Sequence, residues 1–307
     1  MSGRSLISLV GLAVLFTLLN ALRPLHIDDT AYYYYARQIA EHPLDPYGFE
    51  IFWNEQPQPA FEVLAPPVLP YYWAAAIRLF GEQPFLWKVW LLPVALALVF
   101  ALHALCRRFA RGFELPLVWL TVLSPAFLPS FNLMLDVPAL ALALCALAIF
   151  VRACVRGAPG LAVAAGIVAG VAAQTKYTAL LMPAVMVLHA LLFHRLRLGT
   201  IAALVAYSVF AAWETLMMHR YGQSHFLYHL SGHAGLLKQH TPSLLSLIMI
   251  VGGVAPAIML LGMAALRVRP ALVALAGGGV LLGFVLLPHM DQDVPARLGM
   301  PFHVNRD

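Results

Sequence analysis

The sequence is poor in charge. Of 307 residues only 14 are acidic and 19 basic, 11% in all, where a soluble domain carries about 25%. That is too little to solvate a globular surface, which excludes a water-soluble enzyme. A disordered chain is excluded too, because disorder requires low hydrophobicity and abundant charge. Cysteine is scarce: Cys106, Cys145 and Cys154 lie inside or beside apolar runs. Neither a disulfide framework nor a cysteine zinc site is supported. The net charge of +5 sits mostly in short arginine clusters between apolar runs. No basic stripe with interleaved aromatics appears, so a nucleic-acid partner is not indicated.

Apolar residues are what the chain has in excess, at 62% with a mean hydropathy of +0.81. With about 20 apolar residues per bilayer crossing, this content supplies eight or nine spans. The fold class read from the sequence is an all-α polytopic membrane protein with about nine transmembrane helices. The apolar runs predict spans at roughly 5–22, 85–105, 115–130, 136–151, 160–175, 177–194, 198–218, 243–266 and 270–288. A single membrane domain then covers 1–307. Its outer parts are a first loop at 24–84, a second at 219–242 and a short tail at 289–307. The first run follows Arg4, ends at Arg23 and lacks a small-x-small cleavage site, so it reads as a signal anchor.

The bias of lysine and arginine orients the chain. With the N-terminus in the cytoplasm, that side collects ten cations against the single acid Glu114; the other side collects nine cations and thirteen acids. The first outer loop alone holds eight of the fourteen acids and seven of the eleven tyrosines. The second holds five of the twelve histidines. Function therefore belongs to the outer face. No Asp, Glu, Lys or Arg falls near the middle of a predicted span, which counts against a coupled transporter, since such sites use charges at membrane depth.

Four features of the outer face carry chemistry. The first is His26-Ile27-Asp28-Asp29-Thr30-Ala31-Tyr32-Tyr33-Tyr34-Tyr35-Ala36-Arg37. From Asp29 it reads as a short interfacial helix with Tyr32, Tyr35, Ala36 and Ile39 on one face. Asp28 or Asp29 is an N-cap candidate, and two adjacent carboxylates exceed what one cap requires. The second is Glu62-Val63-Leu64-Ala65-Pro66-Pro67, whose prolines predict an extended turn, followed by Tyr71-Tyr72-Trp73 entering a new apolar stretch. The third is Leu135-Asp136-Val137-Pro138. Asp136 serves either as an acid facing a helix dipole or as a site residue. The fourth is Gln174-Thr175-Lys176-Tyr177-Thr178, where Lys176 either snorkels or supplies charge to a ligand.

Together these features resemble the GT-C glycosyltransferases of the protein O-mannosyltransferase and lipid A aminoarabinose transferase type, which use sugars carried on dolichyl or undecaprenyl phosphate. The resemblance runs from about Ser5 to Arg197. It includes the acid pair followed by tyrosines and Ala36-Arg37, the Pro-Pro aromatic segment, Gly81-Glu82-Gln83-Pro84, Ser124-Pro125, Leu135-Asp136-Val137-Pro138, and Gly166 to Gly170 leading to Thr175-Lys176. The resemblance implies a GT-C-like fold and an inverting transfer to an acceptor hydroxyl at the periplasmic face of a bacterial inner membrane. It makes Asp28 the general base, with Asp29 beside it. The departing lipid phosphate needs positive charge, which Lys176, Arg37, Arg220 or Arg297 could supply. Tyr32, Tyr177 and Asp136 complete the expected substrate-binding set. The partners implied are a polyprenyl-phosphate sugar donor, membrane lipids, and an acceptor that is a protein, a lipid or a glycan.

A divalent metal is one reading of the outer histidines, since some members of that family hold one between a first-loop glutamate and a histidine of a later outer loop; the others are that they bind phosphate or cover an amphipathic surface. His225, His229 and His233 fall at i, i+4 and i+8, and His225 and His229 with Glu62 are the candidate ligands. The glutamate expected immediately before Pro-Pro is replaced by Leu64-Ala65. The competing functional classes are a lipid-linked sugar carrier or flippase without covalent chemistry, and a non-catalytic scaffold derived from such an enzyme, to which the chain's short C-terminus points.

Overall fold

A computed structural model describes residues 2–53 and 55–233. The predicted spans at 243–266 and 270–288, the tail at 289–307, Arg297 and most of the second outer loop lie outside the described residues. So does the side chain of His233. The described chain is mostly helical. Its elements are α1 (Gly3–Ala21), α2 (Ile27–Glu41), β1 (Glu50–Phe52), β2 (Pro57–Pro59), α3 (Ala60–Val63), α4 (Val68–Phe80), α5 (Pro84–Val89), α6 (Leu92–Phe109), α7 (Glu114–Val122), α8 (Asp136–Arg156), α9 (Pro159–Ala173), α10 (Leu181–Leu192), α11 (Leu196–Tyr221) and α12 (His225–His233).

Four stretches are long and apolar enough to cross a membrane: Gly3–Ala21, Pro84–Phe109, Asp136–Arg156 and Leu196–Tyr221. Each coincides with a span expected from the apolar runs. Pro159–Ala173 and Tyr177–Leu192 are shorter apolar helical stretches. α1 shows why these helices suit lipid. Leu9, Leu12, Ala13 and Phe16 form a fully buried stripe, while Leu6, Ile7, Leu15 and Leu18 on the remaining surface are exposed. A helix apolar all round leaves its outer face to acyl chains rather than water. The result is an all-α membrane protein with one small departure, an antiparallel ribbon in the first outer loop pairing Glu50 with Pro59 and Phe52 with Pro57.

One expectation changes. The predicted span at 115–130 is helical only as α7, nine residues long and therefore about 14 Å. It ends before Ser124-Pro125, and a single 3-10 turn at Leu128–Ser130 follows. The turn expected at Pro66-Pro67 spans Leu64 to Pro67, with Leu64 extended, and α4 begins directly after it at Val68. Pro70 falls in the first turn of that helix, where a missing N–H costs nothing.

Packing joins two helical layers and a cap. One core gathers α1, α4, α5, α6 and α7 around Phe16, Trp73, Leu91 and Leu98. A second gathers α8 to α11 around Phe150, Ala165, Ala202 and Met186. It depends on close backbone approach between α9 and α11. A β-carbon on Gly166 would stand 2.5 Å from the Ala202 carbonyl oxygen, and one on Gly170 would stand 2.6 Å from the Val209 Cβ. This is the small-xxx-small contact through which membrane helices gain van der Waals energy without a hydrophobic drive. The cap is built by α2, the ribbon and α3 against the end of α11, with Tyr35, Ile39, Tyr47, Phe61 and Met217 buried.

Candidate functional site

The acid pair divides its labour through helix geometry. α2 begins at Ile27, with His26 as N-cap, two residues earlier than expected. Asp29 is the third helical residue, and its Oδ2 accepts from the His26 backbone N–H at 2.7 Å, which satisfies one of the free donors of a helix start. Asn132 Nδ2 donates to the same oxygen at 2.5 Å. The side chain is fully buried. Burial pushes the Asp29 carboxyl up, and the His26 N–H and the Lys88 ammonium hold part of that rise back. Lys88 is itself buried, its Nζ donating to the carbonyls of Arg23 (2.5 Å) and Pro24 (3.1 Å). Asp29 thus caps α2 from a buried position.

Asp28, one residue earlier, has the opposite environment. It lies on the wall of two cavities. The first, about 560 Å³, brings Asp28 together with Tyr32, Asp136, Lys176, Tyr177 and His229. Its apolar lining comes from the Pro-Pro segment at Val63 to Pro66 and from Phe226 and Leu230 of α12. The second, about 510 Å³, lies between the start of α2 and the ribbon, with Glu50, Thr30 and Tyr34 among its walls. Asp28 and Trp53 belong to both. Each volume lies within the range of small-molecule sites, about 300–1,000 Å³. A smaller apolar groove of about 240 Å³ shares Asp136 and Thr178 with the first cavity and follows α8 and α10 through Leu140, Ala143, Met182 and Val185.

Lys176 stands at the tip between α9 and α10 and forms an ion pair with Asp136. The tip is fixed from below by the Gly166–Gly170 contact and from the side by the Val68 N–H, which donates to the Gln174 carbonyl at 3.2 Å. Tyr32 keeps its proton: burial raises its pKa, and the negative charges of Asp28 and Asp136 raise it further. The cavity therefore presents a carboxylate, a phenolic donor and an ammonium already steered by a second carboxylate.

α12 is held over this cavity by Glu214, whose Oε2 accepts from Ser224 Oγ at 2.7 Å and from the Phe226 N–H at 2.9 Å. Its Oε1 accepts from the Tyr177 hydroxyl at 3.3 Å. His225 is fully buried beneath, hydrogen-bonded to Tyr177 and 3.2 Å from His229 Nε2. Burial, and next the neighbouring His229, push the His225 pKa down to about 3, so its ring is neutral at physiological pH.

The metal expectation does not fit this arrangement. Among the described residues no group of three His, Cys, Asp or Glu side chains comes together to hold an ion. Glu62 faces Tyr228, while His225 is committed to Tyr177 and His229. Two expected cations are also held elsewhere. Arg37 pairs with Glu41 at 3.2 Å and Glu82 at 3.8 Å, and Arg220 pairs with Asp45 at 3.2 Å. Both are tied to loop carboxylates and neither lines the cavity around Lys176.

Three site residues escaped sequence reasoning. Trp53 follows β1, and Lys88 and Glu214 are buried polar groups with partners distant in sequence; Asn132 opens the segment that leads to Asp136, but its bond to Asp29 was not foreseen. Glu214 left one legible trace, a carboxylate at the outer end of an apolar run. No protein-family model matches the sequence, and a search of curated proteins returned no match.

Proposed function

We propose that this protein is a membrane glycosyltransferase that moves a sugar from a polyprenyl-phosphate donor to an acceptor hydroxyl. In this reading the first cavity takes the sugar and its phosphate, the α8–α10 groove takes the start of the isoprenoid chain, and the second cavity admits the acceptor. The observation that carries the reading is the position of Asp28 in the wall common to both cavities, with Lys176 inside the first.

The chemistry follows from those positions. Asp28 accepts the proton of the acceptor alcohol as its oxygen attacks the anomeric carbon. The bond from that carbon to the phosphate oxygen breaks with inversion, and its electron pair leaves on the lipid phosphate. Lys176 gives one N–H to Asp136 and keeps two for the departing oxyanion, in a partly dry site where such contacts are strong. Tyr32 donates to a sugar hydroxyl or to phosphate. The proton on Asp28 returns to water after product leaves.

The topology belonging to this reading has the N-terminus in the cytoplasm of a bacterial cell, about nine crossings of the inner membrane, and the Asp28 cavities on the periplasmic side. Reconstituted protein supplied with polyprenyl-phosphate sugar labelled in the sugar tests it. Label appearing on a new acceptor, or released with free polyprenyl phosphate, supports transfer. Label that stays on its lipid and only changes leaflet rejects transfer in favour of a flippase.

A further inference from the structure

The opposite end of the helices carries a separate cavity of about 400 Å³, lined by Ser5, His103, Arg107, Gly112 and Glu114 among others. It lies where α1 begins, α6 ends and α7 begins. The 19 residues of α1 put it about 28 Å from the Asp28 end, close to one hydrocarbon thickness. This is the depth at which a helix bundle meets phospholipid headgroups of the other leaflet.

Three observations give the cavity a chemical identity. His103 is only 7% exposed, lines the cavity, and makes no hydrogen bond among the described residues. With no such partner, its ring faces the cavity and is open to a ligand or ordered water. Arg107 follows it by one turn of α6 and so shares its face, adding a permanent positive charge. Glu114 supplies a negative one and is held in place by accepting from the Gly112 N–H at 3.0 Å. His103 feels both charges, yet among the described residues no ion pair joins Arg107 to Glu114. The two charges are presented apart on the wall of one cavity that Ser5 and His103 also line. A purely anionic headgroup would satisfy Arg107 and be repelled by Glu114. A molecule bearing both signs, joined by a short bridge, satisfies both.

We propose that this cavity binds the headgroup of a zwitterionic phospholipid with a primary ammonium, a phosphatidylethanolamine. Its phosphate is received by Arg107, His103 and Ser5, and its ammonium donates to Glu114. The exposed apolar side chains Leu6, Phe109 and Phe113, each within two residues of the lining, give the acyl chains a surface to follow. The trimethylated ammonium of phosphatidylcholine has no N–H to donate, so the site discriminates against it. The proposal is independent of the reading of Asp28.

The test is native mass spectrometry of the full chain in detergent, with dioleoyl phosphatidylethanolamine, phosphatidylcholine and phosphatidylglycerol at equal concentration. The expected result is a bound ethanolamine lipid that outlasts the other two under collisional activation, with free phosphoethanolamine failing to bind. Glu114→Gln lowers its retention about tenfold, to the phosphatidylcholine level, and leaves phosphatidylglycerol no weaker. Arg107→Gln lowers retention of all three. Equal retention of the three lipids by the unmodified chain overturns the proposal without recourse to any variant. So does an ethanolamine preference that survives both substitutions. Binding of free phosphoethanolamine as tight as the lipid overturns the lipid assignment.

Discussion

Asp29 with Lys88, and Asp136 with Lys176, are two aspartate–lysine neighbourhoods of the same composition and opposite character. In the first, both side chains are buried, and the ammonium is spent on two main-chain carbonyls. In the second, the pair is partly exposed and opens into a cavity that also contains Asp28. Residue type does not separate a buried brace from a pair that opens into a cavity. Burial and the supply of backbone partners do, because a dry charge engaged by main-chain groups is closed off from a ligand, while a half-solvated one keeps free donors within reach of it.

The sharpest way to test that contrast is to change the neighbours Asp28 and Asp29 in parallel. Asp28→Asn is expected to lower sugar transfer by about 10²–10⁴-fold, the contribution of a positioned base, with thermal stability unchanged. Asp29→Ala is expected to lower thermal stability, because the His26 N–H and Asn132 lose their acceptor. If Asp28→Asn retains full transfer in the reconstituted assay, the division of roles is wrong. Next in size, Lys176→Gln is expected to slow release of polyprenyl phosphate by about 10²-fold at unchanged stability. Lys88→Met should show the reverse pattern, a stability loss of about 2–4 kcal/mol through the stranded Arg23 and Pro24 carbonyls, read from thermal unfolding in detergent.

Acid should loosen one part of the cavity roof before the other. His225 has its folded pKa pushed down to about 3 by burial and then by His229, from an ordinary value of 6.5. Between those values the unfolded segment takes up a proton that the folded one refuses. The contribution of His225 to the docking of α12 is therefore complete above about pH 6.5 and is lost as pH falls towards about 3. Hydrogen exchange over Ser224 to Leu230 should quicken across that window, while α9 stays protected; equal protection at both ends of the window contradicts it. The smallest effect belongs to Arg37→Gln, which removes an exposed ion pair. It is expected to change transfer by less than about threefold, measured in the same assay.

How much of this was readable in the sequence depends on the range of the interaction concerned. The tyrosine face of α2 was legible because helical period alone places Tyr35, Ala36 and Ile39 inward, and all three are buried. Asp136, Lys176 and Tyr177 were legible as polar groups at the ends of apolar runs, where a membrane leaves few positions for them. Lys88 was not, because its partners are carbonyls some 65 residues away in a stretch with no pattern of its own. The choice between Asp28 and Asp29 was legible only in part. Two carboxylates signalled a cap and a spare, but the start of α2 at Ile27 decided which was which. Arg37 and Arg220 misled because local sequence shows a charge and not the carboxylate that already owns it.

The contact at Gly166 and Gly170 has a consequence for how the site is tuned. α9 rests directly on the backbone of α11, and the loop bearing Lys176 leaves from the end of α9. The ammonium is thereby levelled against the same helix that carries Glu214. Two absent methyl groups, buried well below the polar surface, set the elevation of the cation, so a larger side chain there would shift Lys176 against the cavity without touching any atom that lines it.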